Sequence, residues 1–133
     1  MEKEEQIEYW LEIAEYDYKT AVAMHKSKRY LYVGFMCHQV TEKAFKALYV
    51  HKKSETPPFT HNLLNIAELA GFYDLISDEH KDFVDELLPL NIEARYPVRK
   101  DELYNRIDKL YSKYLLTKTE ELFLWIKSML LKN

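Results

Sequence analysis

Three groups of residues in this chain have the types and spacing to do chemistry. The first is Gln39, Glu42, Lys43 and Lys46. Separations of three, four and seven residues set these side chains on one face of a helix. Such a face is either solvated, with a Glu42–Lys46 pair contributing a few tenths of a kcal/mol, or it is a strip of donors facing a cleft. The second group is His61 with Asn62 and Leu63, straight after Pro57-Pro58-Phe59-Thr60. Backbone N–H groups at a helix start attract anions, and a histidine there adds a donor. The plainer reading is that His61 caps or packs. The third group is Ala94-Arg95-Tyr96-Pro97. Pro97 pushes Tyr96 out of the α region, so the stretch is extended. Arg95 offers five donors in a fork that matches phosphate or carboxylate, Tyr96 can stack beside it, and Arg99 and Lys100 add positive charge. Arg95 could equally tie its loop to the rest of the fold through Glu42 or Asp85.

Other chemistries lack their residues. Glu-x-x-His and His-Glu-x-x-His are both missing, and the five histidines, at 25, 38, 51, 61 and 80, are spread over at least three segments. Neither a di-iron bundle site nor a zinc site is written there, so no metal and no cofactor are expected. Two glycines, Gly34 and Gly71, are too few for a phosphate-cradling loop, and Gly-x-Ser-x-Gly is absent. Cys37, the single cysteine, falls mid-helix on an apolar stripe. It reads as a buried, inert thiol.

Helices must position these groups. Ile7, Trp10, Leu11, Ala14, Tyr18, Ala21, Val22 and His25 recur at helical spacing, which predicts a helix from about Glu4 to Lys26. A second helix is predicted from Tyr30 to Lys52. Its stripe of Val33, Cys37, Val40, Ala44, Ala47, Leu48 and His51 is widened by Phe35, Met36, Phe45 and Tyr49. A helix apolar over most of its circumference is central or faces two partners. It is therefore expected to touch both the core and a second subunit. Ser54 to Thr60, with two prolines, is a loop. A short helix over His61 to Ala70 follows, with Thr60 as N-cap and Gly71 at its C-terminal end. Ser77 caps the next helix, which carries Phe83, Val84, Leu87 and Leu88 and meets Pro89. Asn91 to Arg99 then form an irregular connection. Asp101 caps a last helix, whose stripe from Leu103 to Leu130 is long enough for a bend near Thr117 to Thr119. The fold class is all-α: an antiparallel up-down helical bundle of four main helices plus a short extra one, in a single domain over residues 1–133.

Composition sets the outer bounds. A chain of 133 residues buries roughly two thirds of its unfolded surface, enough for a core without disulfides or metal. The net charge of −3 argues against broad nonspecific nucleic-acid binding, so any anion site is local. The start Met1-Glu2-Lys3-Glu4-Glu5 lacks a signal-peptide pattern, and no run approaches a membrane span. The cytoplasm is the expected location. Eleven tyrosines suit half-buried faces and interfaces.

Taken together and in order, these pieces resemble the HEPN domain family. The likeness is carried by Trp10, Ala14 and Asp17; by Gln39-Val40-Thr41-Glu42-Lys43-Ala44-Phe45-Lys46-Ala47; by Pro58 and His61-Asn62-Leu63; and by Ala94-Arg95-Tyr96-Pro97. It implies a bundle that dimerises, with a cleft near the dimer axis. One kind of member is a metal-independent ribonuclease, often a toxin or antiviral effector, using an arginine and a histidine four to six residues later. The other kind is a small protein encoded beside a minimal nucleotidyltransferase and thought to bind nucleotide, nucleic acid or that partner. Arg95 matches the arginine of the ribonuclease motif. The positions open to its histidine hold Lys100, Asp101 and Glu102, and no histidine follows His80. That removes a proton-transfer group worth roughly 10²–10⁴-fold in rate.

The reading that follows is a non-catalytic module, a homodimer whose cleft holds a nucleotide, an RNA end or a nucleotidyltransferase. Arg95 and Arg99 would meet phosphate, Tyr96 would stack, and Gln39, Glu42, Lys43, Lys46 and His61 would supply the polar contacts. The alternatives are a diverged ribonuclease, with His61 or Tyr104 replacing the missing histidine, and a purely structural interaction module.

Overall fold

A computed structural model describes residues 2–93, 102 and 105–132. All regular structure among them is helical. Helix α1 spans Lys3–Lys26, with Glu4 and Glu5 in its first turn and His25 and Lys26 in its last, each sign at the favourable end of the helix dipole. It stops because Lys28 takes a left-handed conformation, φ 63°. The Ser27 hydroxyl meanwhile donates to the carbonyl of Ala23 at 2.9 Å. The chain reverses within three residues and enters α2, Tyr30–Lys53.

Helix α2 is the centre of the molecule. Its buried residues include Val33, Val40, Phe45 and Leu48, each 0% exposed. It packs against α1, against α3 (Leu63–Ala70), against α4 (Asp78–Glu93) and against α5 (Lys109–Leu130). Most of the wide apolar surface expected from its sequence is covered within one chain, while Phe35 and Met36 are half-buried. A 3-10 turn at Tyr73–Leu75 links α3 to α4. Phe72, just before it, meets Phe45 edge-on, with centroids 5.1 Å apart.

Several boundaries differ from the sequence expectation, each for a local reason. Helix α3 begins at Leu63 rather than His61, because Asn62 and not Thr60 is its cap: the Asn62 side chain accepts from the Asn65 N–H. Thr60 instead accepts from the N–H of Asn62 at 3.1 Å, closing the turn before the helix. Gly71 does end α3, at φ 77°, and Ser77 does cap α4, accepting from His80 N–H at 3.1 Å. Helix α4 runs through Pro89 to Glu93. A proline removes one helical donor, and here the flanking Leu87, Leu90 and Asn91 are buried deeply enough to hold the helix together. The last helix starts at Lys109 behind an Asp108 cap, which accepts from Tyr111 N–H at 2.8 Å. It runs unbroken past Thr117 and Thr119 to Leu130. Asp101 and Leu103, expected to open that helix, lie outside the described residues.

The buried Cys37 thiol is pushed up to about 12 by burial, with the Thr119 hydroxyl pulling weakly the other way. It is inert at neutral pH. None of the described helices is long and apolar enough to cross a membrane.

Candidate functional site: a buried carboxylate that gathers donors

Glu42 sits at the middle of α2 and is 1% exposed. A carboxylate so deep must be met by donors or charges. Its Oε1 lies 2.9 Å from His61 Nδ1, and its Oε2 accepts from Lys46 Nζ at 3.1 Å. His38 Nδ1 and Lys43 Nζ each approach to 3.9 Å. An ionised carboxylate only accepts, so His61 Nδ1 carries the hydrogen and Nε2 is left on the far side of the ring. Burial raises the Glu42 carboxyl. The bond from His61 and the charges of Lys46 and Lys43 outweigh it and hold the group below its ordinary 4.5.

The cluster extends in two directions. Lys43 Nζ donates to Gln39 Oε1 at 2.9 Å, and Gln39 Nε2 donates to Asn91 Oδ1 at 2.9 Å, which ties α2 to the end of α4. Lys46 Nζ lies 5.3 Å from the ring centroid of Trp10 on α1, within cation–π range. Asp17 completes the α1 side. Burial pushes its carboxyl above 3.8, Lys43 pulls it down and Glu42 pushes it up.

Of the residues expected from sequence, Gln39, Glu42, Lys43, Lys46 and His61 come together. The plainer readings of two groups fall away: the α2 strip is not a solvated face, and His61 neither caps nor packs but binds the buried carboxylate with its own side chain 65% exposed. Arg95, Tyr96 and Arg99 lie outside the described residues. The sequence reading does not find His38 and Asn91 as members of the cluster. His38 stands four residues before Glu42, a spacing that could have pointed to it. Asn91 bonds to a residue 52 positions away, which no local pattern signals. Trp10 and Asp17 enter the sequence reading only as marks of resemblance. Among the described residues no group of three or more His, Cys, Asp or Glu is placed to hold a metal ion.

The HEPN domain family model matches residues 7–129. The chain belongs to the HEPN family. Two solved structures share the fold of this HEPN domain. TT1696 from Thermus thermophilus superposes with a TM-score of 0.78 at 19% identity, over 93% of this chain and 98% of that one. ST0689, an archaeal HEPN homologue, gives 0.66 at 18% identity, over 93% and 97%. No curated protein matches the chain.

Proposed function

We infer that this HEPN protein is a non-catalytic binding module that works as a homodimer and takes a nucleotide, or the phosphate-bearing end of a nucleic acid, at the Glu42 cluster. A partner nucleotidyltransferase is the other occupant of the same surface. The observation that carries the reading is Glu42, a buried charge that holds His61 from a loop and Lys46 from its own helix. A buried ion pair is often no more stabilising than an apolar replacement, so the reading rests on where Glu42 holds Lys46 and His61 rather than on stability. Two carboxylates, Asp17 and Glu42, balance two ammoniums in the cluster, so its contribution is placement of donors rather than net positive charge. In this reading Arg95 supplies the charge that meets phosphate. Calorimetric titration with nucleotides and short RNA ends, on wild type, His61→Ala and Arg95→Ala, tests it. Binding that weakens in both variants supports the module; equal binding by all three overturns it.

One observation favours a second reading. An exposed imidazole oriented through Nδ1 by a buried carboxylate is the arrangement a proton-transferring histidine needs. His61 Nε2 would then take the proton of a 2′-hydroxyl as its oxygen attacks the adjacent phosphorus, the bond from that phosphorus to the 5′-oxygen breaks, and the departing 5′-oxygen takes a proton from solvent. Metal-free incubation with single-stranded and structured RNA separates the two readings, because cleavage lost in His61→Ala is required by the second and absent in the first.

A further inference from the structure

His61 is the exposed member of the Glu42 cluster. Its side chain is 65% exposed, against 18% for Lys43, 8% for Lys46 and 2% for Glu42. The two lysines are also engaged: Lys46 by Glu42 and the Trp10 ring, Lys43 by Gln39. A ligand arriving from solvent therefore meets the imidazole first. Nδ1 of that ring is spent on Glu42, so the contact falls to Nε2.

What Nε2 can hold depends on one hydrogen. A neutral imidazole carries a single N–H, and here it sits on Nδ1, because an ionised carboxylate only accepts. In that state Nε2 presents a lone pair. It repels a phosphate oxygen and suits a hydroxyl or ammonium donor. A second hydrogen, on Nε2, reverses the preference: the ring becomes a cation with a donor at each nitrogen. Phosphate contact at Nε2 thus requires the imidazolium.

The surroundings of the ring support that form. On α2, Glu42 lies within bonding distance, with Lys43 and Lys46 gathered on its other oxygen. His38 approaches the same Oε1 as His61 does, at 3.9 Å, but is 1% exposed and too deep to meet a ligand. On α1 the charged member is Asp17, and α4 contributes the neutral Asn91. Glu42 is held below 4.5, so it stays ionised across the neutral range and favours a cation beside it. Asp17 and Glu42 offset the two ammoniums. Histidine is the side chain whose ordinary charge change falls between about pH 5 and 8, so protonation of His61 gives the exposed edge of the cluster its positive charge.

We propose that His61 contacts a terminal phosphate through Nε2 as an imidazolium, so that binding at the Glu42 cluster takes one proton from solvent and places it on that nitrogen. The proposal rests on the phosphate reading given above. It also sets two uses of the ring against each other, since an imidazolium has no lone pair with which to take the proton of a 2′-hydroxyl.

The test is calorimetric titration of the full chain with adenosine 5′-monophosphate at about pH 7.5, in buffers of different ionisation enthalpy. A phosphate monoester loses its second proton at about pH 6, so at the higher pH the ligand brings none of its own. The heat should vary with the buffer in the sense of proton uptake. Affinity should fall between about pH 7 and 8 by up to about tenfold, the most that one proton gives per pH unit. His61→Gln, whose amide can still donate to Glu42, should bind more weakly, with no buffer dependence and no change over that range. Wild-type binding that is lost in His61→Ala but proceeds without proton uptake overturns this proposal and leaves the phosphate reading standing. Uptake that persists in His61→Gln places the proton elsewhere and overturns it as well. Absence of wild-type binding, or equal binding by His61→Ala, removes the phosphate reading and the proposal together.

Discussion

His61, exposed on the loop ahead of α3, is fastened 2.9 Å from Glu42, which is buried on α2. One bond therefore couples a solvent-facing imidazole to a deeply enclosed charge. The pair is 19 positions apart in sequence, and its geometry depends on the Pro57–Pro58 loop bringing the chain back across α2. Replacing Glu42 by Gln keeps the shape but strands the ammonium of Lys46, which has only 8% of its side chain exposed. Breaking a buried pair from one side should lower the unfolding free energy by about 3 kcal/mol, read by urea denaturation. The double variant Glu42→Gln/Lys46→Met should recover much of that loss, because no charge is left alone.

Acid should act through the same carboxylate. Glu42 titrates below 4.5 in the folded protein, so the folded state binds its proton less readily than the unfolded chain does. Its contribution is complete above the unfolded value and is lost as pH falls through the folded one. Stability measured from pH 6 downward should drop more steeply in wild type than in Glu42→Gln below about 4.5. Parallel curves would show that Glu42 carries no such charge.

Asp17 should behave in the opposite sense. Its folded pKa lies above 3.8, so its ionised form costs stability once pH rises through that folded value. Asp17→Asn should therefore raise the thermal midpoint at pH 7. A lower midpoint would mean that the attraction of Lys43 outweighs the burial of Asp17.

Gly34 is where α2 meets the end of α4 and the approach to α5. A Cβ there would lie 3.0 Å from Leu90 Cδ1 and 3.2 Å from Ile107 Cδ1. Alanine gains up to about 1 kcal/mol of helix propensity over glycine, while overpacking typically costs about 1–3 kcal/mol. Gly34→Ala should be destabilising by about 1 kcal/mol in denaturant melts. A stabilised variant would mean that Leu90 and Ile107 swing aside freely.

How much of this is legible in the sequence follows from the range of each interaction. Helices α1 and α2 announce themselves because apolar spacing is local, and the bounds predicted for them fall within one residue of those observed. The start of α3 is displaced by two residues from its predicted position because Thr60 and Asn62 are equally good cap types, and only the folded turn decides which side chain faces Asn65. Pro89 reads as a stop because proline penalises any helix; the burial around it, set by α2, is invisible locally. In the site, the shared face of Gln39, Glu42, Lys43 and Lys46 is plain from spacing. Whether that face meets water or protein is not, since the answer depends on Trp10, Asp17, His61 and Asn91 arriving from three other segments.

Helix α2 is enclosed by four other helices, which sets a hierarchy of motion. Its amides should exchange with solvent only when the whole domain opens, whereas the eight-residue α3 and the loop before it can detach at far lower cost. Glu42, Lys43 and Lys46 thus stand on the slowest-exchanging element, and His61 stands next to one of the fastest. Any ligand bridging them would slow exchange in α3 and leave α2 unchanged, so the imprint of binding should be sought in the protection of Leu63–Ala70.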